Sequence, residues 1–167
     1  MLDQLVKLVQ QNAGDAIAKN PAIPDQQNNA AISDVAQNIF SGLQTQAAQG
    51  NLPEILSMFK NGGGSSMTSN PVVANLINNV ATSLASKFGI SSQTAQQIAT
   101  SLLPTIMNQF VKKTNDPQDN DFNLQDVLGK FTGNSNVGDL LNQFGGGKGD
   151  GAGGSGAGGM LGKIFGG

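Results

Sequence analysis

A chain of 167 residues, 38% hydrophobic and 12% charged, with 23 Gly and neither Cys, His, Trp nor Tyr, has room for one or two small domains and a modest core. Without thiolate or imidazole it excludes disulfides, the usual zinc, iron and copper sites, cysteine or serine triads and histidine proton shuttles. The net charge is −2 and every one of the nine cations is a lysine, so the two-pronged guanidinium that reads phosphate and guanine is missing, and nucleic acid is not expected as a partner.

The charged fraction is about half of the roughly 25% of an ordinary globular chain, and amides take its place, with 18 Asn and 16 Gln. A surface of neutral polar groups repels itself weakly, which eases self-association. No run approaches the roughly 20 apolar residues of a membrane span. The opening, Met1 to Val9, lacks a basic leader region and a small-residue cleavage site, so the expected location is cytoplasmic.

Apolar spacing is helical throughout, and no useful stretch alternates with period two, so the expected fold class is all-α. In the first segment Leu2, Leu5, Val6, Val9, Ala13, Ala16 and Ile17 lay one stripe along a helix expected to end near Asn20-Pro21. Ile32, Val35, Ala36, Ile39, Phe40 and Leu43 form the stripe of a second helix starting near Pro24-Asp25. After the glycine-rich break 61–69 the pattern restarts, with Asn70 as N-cap and Pro71 at the first helical position. Val73, Leu76, Ile77, Val80, Leu84 and Phe88 make that stripe, Gly89 stops it, and Ser91 or Ser92 caps a helix whose inner face is Ile98, Leu102, Leu103, Ile106, Met107 and Phe110.

The halves superpose at a shift of about 67 residues. Val6 pairs with Val73, Val9 with Leu76, Ala13 with Val80, Ile17 with Leu84, Ile23 with Ile90 and Ile39 with Ile106. A shorter motif recurs at 51–59, 123–131 and 136–144, beginning at Asn51, Asn123 and Asn136. In each copy an Asn is set to cap, an acid three residues on faces the positive helix end, and apolar residues form a docking face. A two-turn helix is unstable alone, so each copy must dock. Docking within its own repeat is expected of the first two, whereas the third, with Leu140, Leu141 and Phe144, has no helix pair of its own and is the better candidate for a partner-facing element.

The organisation read from these patterns is helical repeat A over 1–64, repeat B with the third short helix over 65–145, and a flexible Gly-rich tail over 146–167. The tail ends in an apolar peptide, Met160, Leu161, Ile164 and Phe165, expected to dock on a groove or a second copy.

Chemistry is sparse. Asp119, Asp121 and Asn123 have the alternate spacing of a calcium loop, but Leu124 stands where that loop needs Gly and Lys130 where it needs a bidentate Glu, so they remain weak candidates for a divalent cation. The acids of the short motif are explained by their first-turn positions, and neither catalysis nor a cofactor is expected.

The opening Leu-Asp-Gln-Leu-Val, the segment Phe88 to Ile98 followed by Leu102-Leu103-Pro104, and the repeated Asp-Leu-Leu or Asp-Val-Leu before glycines resemble the bacterial domain-of-unknown-function 937 family, the YidB-like proteins, over roughly residues 1 to 145. The resemblance implies a bacterial, all-helical protein without an assigned activity. The function expected is a non-enzymatic scaffold or adaptor that presents apolar grooves and works through a protein partner or self-association. The alternatives are a membrane-surface protein using the first helix and the terminal peptide, and a weak ion-binding protein or enzyme at the acidic loop.

Overall fold

The computed structural model describes residues 1–62, 64, 67–116, 118–119 and 122–133, and among them every regular element is helical. Helix α1 spans Leu2–Asn12, α2 Asn28–Ala48, α3 Leu52–Lys60, α4 Pro71–Phe88, α5 Ser92–Thr114 and α6 Leu124–Thr132.

The first stripe is carried differently from the single helix expected to reach Asn20. The α-helix stops at Asn12, and Gly14–Ala18 continues as one wide π turn, in which Ala18 N donates to Ala13 O and Lys19 N to Gly14 O. Gly14 weakens the α-helical ladder at this point, and the widened turn still buries Ala13 and Ile17 in the core. Its surface carries a fully exposed Asp15–Lys19 ion pair of 2.8 Å. The hydrogen bond from Lys19, together with its charge, holds the Asp15 carboxyl below its ordinary range. Whatever this pair adds to the turn is present above that range and lost as the pH falls through it.

The second helix was expected from Pro24-Asp25; a 3-10 turn occupies Asp25–Gln27 and α2 opens at Asn28, while at Asn70, Gly89 and Ser91 the signals act as read. Asn70 Oδ1 accepts from Val72 N at 2.8 Å ahead of Pro71, Gly89 closes α4 at φ 65, and Ser91 Oγ accepts from Thr94 N at 3.1 Å to open α5. Replacing Asn70 by Ala is expected to remove about 1 kcal/mol of stability, measured as a lowered urea midpoint at unchanged slope. The short motif caps unequally. Asn123 Oδ1 accepts from Gln125 N at 2.9 Å, but the Asn51 side chain accepts from no amide of α3, and its Nδ2 instead donates to Gln46 Oε1 at 2.6 Å.

The contacts repeat with the halves interchanged. Helix α1 lies on α2 as α4 lies on α5, α1 crosses α5 as α4 crosses α2, and the short helices α3 and α6 reach α5 and α2 respectively. The pairs Val9/Leu76, Ala13/Val80, Ile17/Leu84, Ile23/Ile90 and Ile39/Ile106 are buried at both members, whereas Val6 is only half-buried beside a fully buried Val73. Both halves feed one continuous core. At its carboxyl-terminal end Phe110 stands edge-on to Phe59 and to Phe122, with ring centroids 5.6 and 5.3 Å apart, a geometry that adds to the burial of the rings themselves.

Candidate interaction site

The short helices show how this chain makes a docking surface. In α3 the triad Ile55, Leu56, Phe59 is buried, and in α6 the corresponding triad Val127, Leu128, Phe131 is buried. The spacing i, i+1, i+4 puts three side chains on one narrow face, to which α3 adds a buried Met58. Docking is not confined to the repeat of origin, as was expected. Helix α3 packs on α2 and also on α5 of the other half, and α6 packs on α2 of the first half. Each seat pairs an aromatic contact with an amide reaching a carbonyl near the end of the short helix. Phe59 meets Phe110 while Asn115 Nδ2 donates to Phe59 O at 2.6 Å. Phe131 meets Phe40 at 5.7 Å while Gln44 Nε2 donates to Lys130 O at 3.0 Å. Carbonyls in the last turn of a helix have no partner within it; Phe59 O also accepts from Gly62 N at 3.3 Å, and the side-chain amides tie these helix ends to the long helices.

Two grooves lie at the interchangeable crossings, and at the 67-residue shift part of their lining corresponds: Asn12 with Asn79, Asp15 with Thr82, Ala16 with Ser83 and Asn38 with Thr105. Between α1 and α5, Asn12 and Gln109 exchange two hydrogen bonds, of 2.7 and 3.3 Å, beside a groove of about 540 Å³ lined by Asp15, Ser101 and Thr105 among others. Between α4 and α2, the counterpart of Asn12 is Asn79 and that of Gln109 is Gly42. A side chain at Gly42 would run into Leu76, so the helices touch where the other crossing holds an amide pair. The groove here is about 340 Å³ and is lined by Asn38, Ser41, Thr45, Asn79, Thr82 and Ser83 along with Gly42 and Lys87.

Three of these lining residues, Asn38, Ser83 and Lys87, belong to a polar cluster that the apolar patterning did not reveal. Asp34 is 6% exposed and accepts from Ser83 Oγ at 2.7 Å, from Asn38 Nδ2 at 3.0 Å and from the Lys87 ammonium. Every polar neighbour it needs is supplied by α2 and α4, so the carboxylate is satisfied within the protein. The shift of 67 carries a signal that would have found it: Asp34 answers to Ser101, Ser83 to Ala16 and Lys87 to Asn20, so the ion pair joins the two halves at one crossing and has no counterpart at the other.

Unlike the apolar grooves expected between the helix pairs, the two crossing grooves are mixed in lining among the described residues. The large apolar side chains there are buried or half-buried, with Leu2, at 38%, the exposed one. Amides and hydroxyls make up much of the walls of both crossing grooves, while a third depression on α5, lined by Gln93, Gln96, Gln97, Thr100 and Ser101, exposes mainly the carbon of those side chains. Of the cation candidates, Asp119 Oδ2 takes the Lys113 ammonium at 2.9 Å, Asn123 is the cap of α6, and Asp121 lies outside the described residues. Among the described residues no cluster of three acidic side chains could hold a metal ion, and no helix is long and apolar enough to cross a membrane. Leu140, Leu141 and Phe144 of the third motif, and Met160, Leu161, Ile164 and Phe165 of the terminal peptide, also lie outside the described residues.

Comparison with known families returns one described as "Bacterial protein of unknown function (DUF937)", whose model matches residues 70–167. The match starts at the cap of α4 and runs through the tail, whereas the resemblance set out above was drawn over residues 1–145. No curated protein and no solved structure matches.

Proposed function

We propose that this chain, which belongs to the DUF937 family of bacterial proteins of unknown function, is a non-enzymatic helical interaction module, a scaffold or adaptor whose adhesive parts are surplus copies of its own docking elements. One observation carries the reading: two copies of the short motif bury the same i, i+1, i+4 triad against α2 and α5, and a third copy with the same triad, Leu140, Leu141 and Phe144, follows them in the chain. The interchanged contacts provide two seats for three occupants.

An apolar two-turn segment without a seat is unstable as a helix and exposes three large side chains, which favours association with another surface. The terminal peptide with Met160, Leu161, Ile164 and Phe165 adds a second such element on a glycine-rich tether, and the tether raises its effective concentration near any partner already held. A weakly charged surface does little to oppose contact between copies.

Light scattering across a concentration series tests this. The average mass of the full chain is expected to rise with concentration, and to rise less in a chain lacking residues 160–167. Equal masses for the two at every concentration would remove the terminal peptide from the reading. A strictly monomeric mass for the full chain would end self-association. A cytoplasmic setting is part of the proposal, and recovery of the protein in the membrane or periplasmic fraction of the cell would overturn it.

A further inference from the structure

We infer that the α6 seat on α2 accepts a second occupant from the same chain, residues 136–144, so that α6 and the third motif compete for one place. The inference deepens the proposed function, on which it rests in one respect: the segment left unseated is the adhesive one.

The correspondence between the rivals is close where the seat reads it. At a shift of 13, Asn136 stands for the cap Asn123, Asp139 for the first-turn Asp126, and Gly146 for the left-handed stop Gly133. The three buried side chains Val127, Leu128 and Phe131 become Leu140, Leu141 and Phe144. The other residues that differ, Leu124 to Val137, Gln125 to Gly138, Gly129 to Asn142, Lys130 to Gln143 and Thr132 to Gly145, fall at half-buried or exposed positions of α6. Exchange of Val for Leu adds one methylene, a change that a seat at the edge of the core absorbs more readily than its centre. The hydrogen bond from Gln44 goes to a backbone carbonyl, Lys130 O, which any residue in that position supplies.

Reach favours the same chain over a second copy. With α6 lifted out, residues 115–135 join the end of α5 to the third motif, a span of roughly 70 Å when extended. Helix α2, with its 21 residues, is only about 30 Å long. Lengthening the connection in this way adds little closure entropy, and a tethered occupant enjoys an effective concentration in the millimolar range that a separate molecule must match. The alternative seat, that of α3, closes against Phe110 at the centre of the aromatic row and is the harder one to vacate.

A double-mutant cycle on Phe131 and Phe144 in the full chain reads the competition directly. If 136–144 stands in for α6, Phe131→Ala lowers the melting temperature by only a few degrees, Phe144→Ala by less, and the two together by on the order of 10 °C, more than their sum. Additive effects, with Phe144→Ala silent in both backgrounds, would overturn the inference. Should the double alanine variant fail to fold, the gentler Phe131→Leu and Phe144→Leu pair gives the same cycle at smaller amplitude. Repeating the cycle at tenfold lower protein concentration identifies the occupant: coupling that persists assigns the seat to the same chain, and coupling that vanishes assigns it to a second copy and overturns the assignment made here. A further reading comes from Phe144→Trp, since the chain has no other tryptophan. Its emission should shift to the blue when Phe131→Ala is added, and unchanged solvent-exposed emission would argue the other way. These readings concern stability within one molecule, so they can fail while the mass measurement succeeds, and the reverse.

Discussion

Replacement of Phe110 by Ala is expected to remove about 4 kcal/mol of stability, a large part of the total for a domain of this size. The ring is fully buried, its edge or face meets both Phe59 and Phe122, and its helix carries contacts from α1, α3 and α4 at once. Truncation deletes the largest side chain at a point where three elements converge, and the backbones around it are pinned by other packing, so the hole cannot collapse fully. Because both halves contribute to the same core, the loss should appear as one cooperative transition displaced to lower urea rather than as the melting of the second half alone. Urea unfolding followed by far-ultraviolet circular dichroism checks both the size and the single step. Two separated transitions would show that the halves fold independently.

The second large effect is expected at Gly42, where Gly42→Gln installs the residue found at the corresponding position of the other crossing, Gln109. At Gln109 the amide is accommodated and bonded to Asn12. At Gly42 even a Cβ meets Leu76, itself fully buried and unable to swing aside without disturbing the core. The whole side chain therefore has to push α2 and α4 apart, at a cost of about 3 kcal/mol, the upper end of ordinary overpacking. The reciprocal Gln109→Gly should be milder, costing about 1 to 2 kcal/mol, since it loses a part-buried amide pair and some helix propensity. Thermal melts of the two variants side by side measure the asymmetry. Equal losses would contradict the close approach at Gly42.

Much of this fold is legible in the sequence because burial and helical period are strongly coupled. Ile98, Leu102, Leu103, Ile106, Met107 and Phe110 were singled out by spacing and all lie in the core. The stops at Gly89 and Gly133 follow from the need for a left-handed residue that glycine meets without strain. What spacing does not carry is the competition between local and tertiary partners. Asn51 and Asn123 open copies of one motif, yet Gln46 lies within reach of the first and changes its role. The break at Ala13 was hidden because a π turn keeps the apolar face directed inward while abandoning the α-helical bond pattern. Nor does periodicity say which half a short helix will choose, since the α6 seat on α2 is assembled only after the long helices have met. For the polar cluster the information was present but lay in the residues that interrupt the stripe: Asp34, Ser83 and Lys87 acquire meaning only when the duplicated halves are compared for polar differences as well as apolar likeness.

The unequal crossings give the molecule a weak side and a strong side. Where Gly42 allows α2 and α4 to touch, separating them exposes apolar surface and breaks the cluster around Asp34 at the same time. Where Asn12 and Gln109 join α1 to α5, the polar groups released beside the buried Leu5, Leu8 and Val9 are neutral amides that water solvates at small net cost. Amide hydrogen exchange is therefore expected to be faster in the amino-terminal helix than in α4.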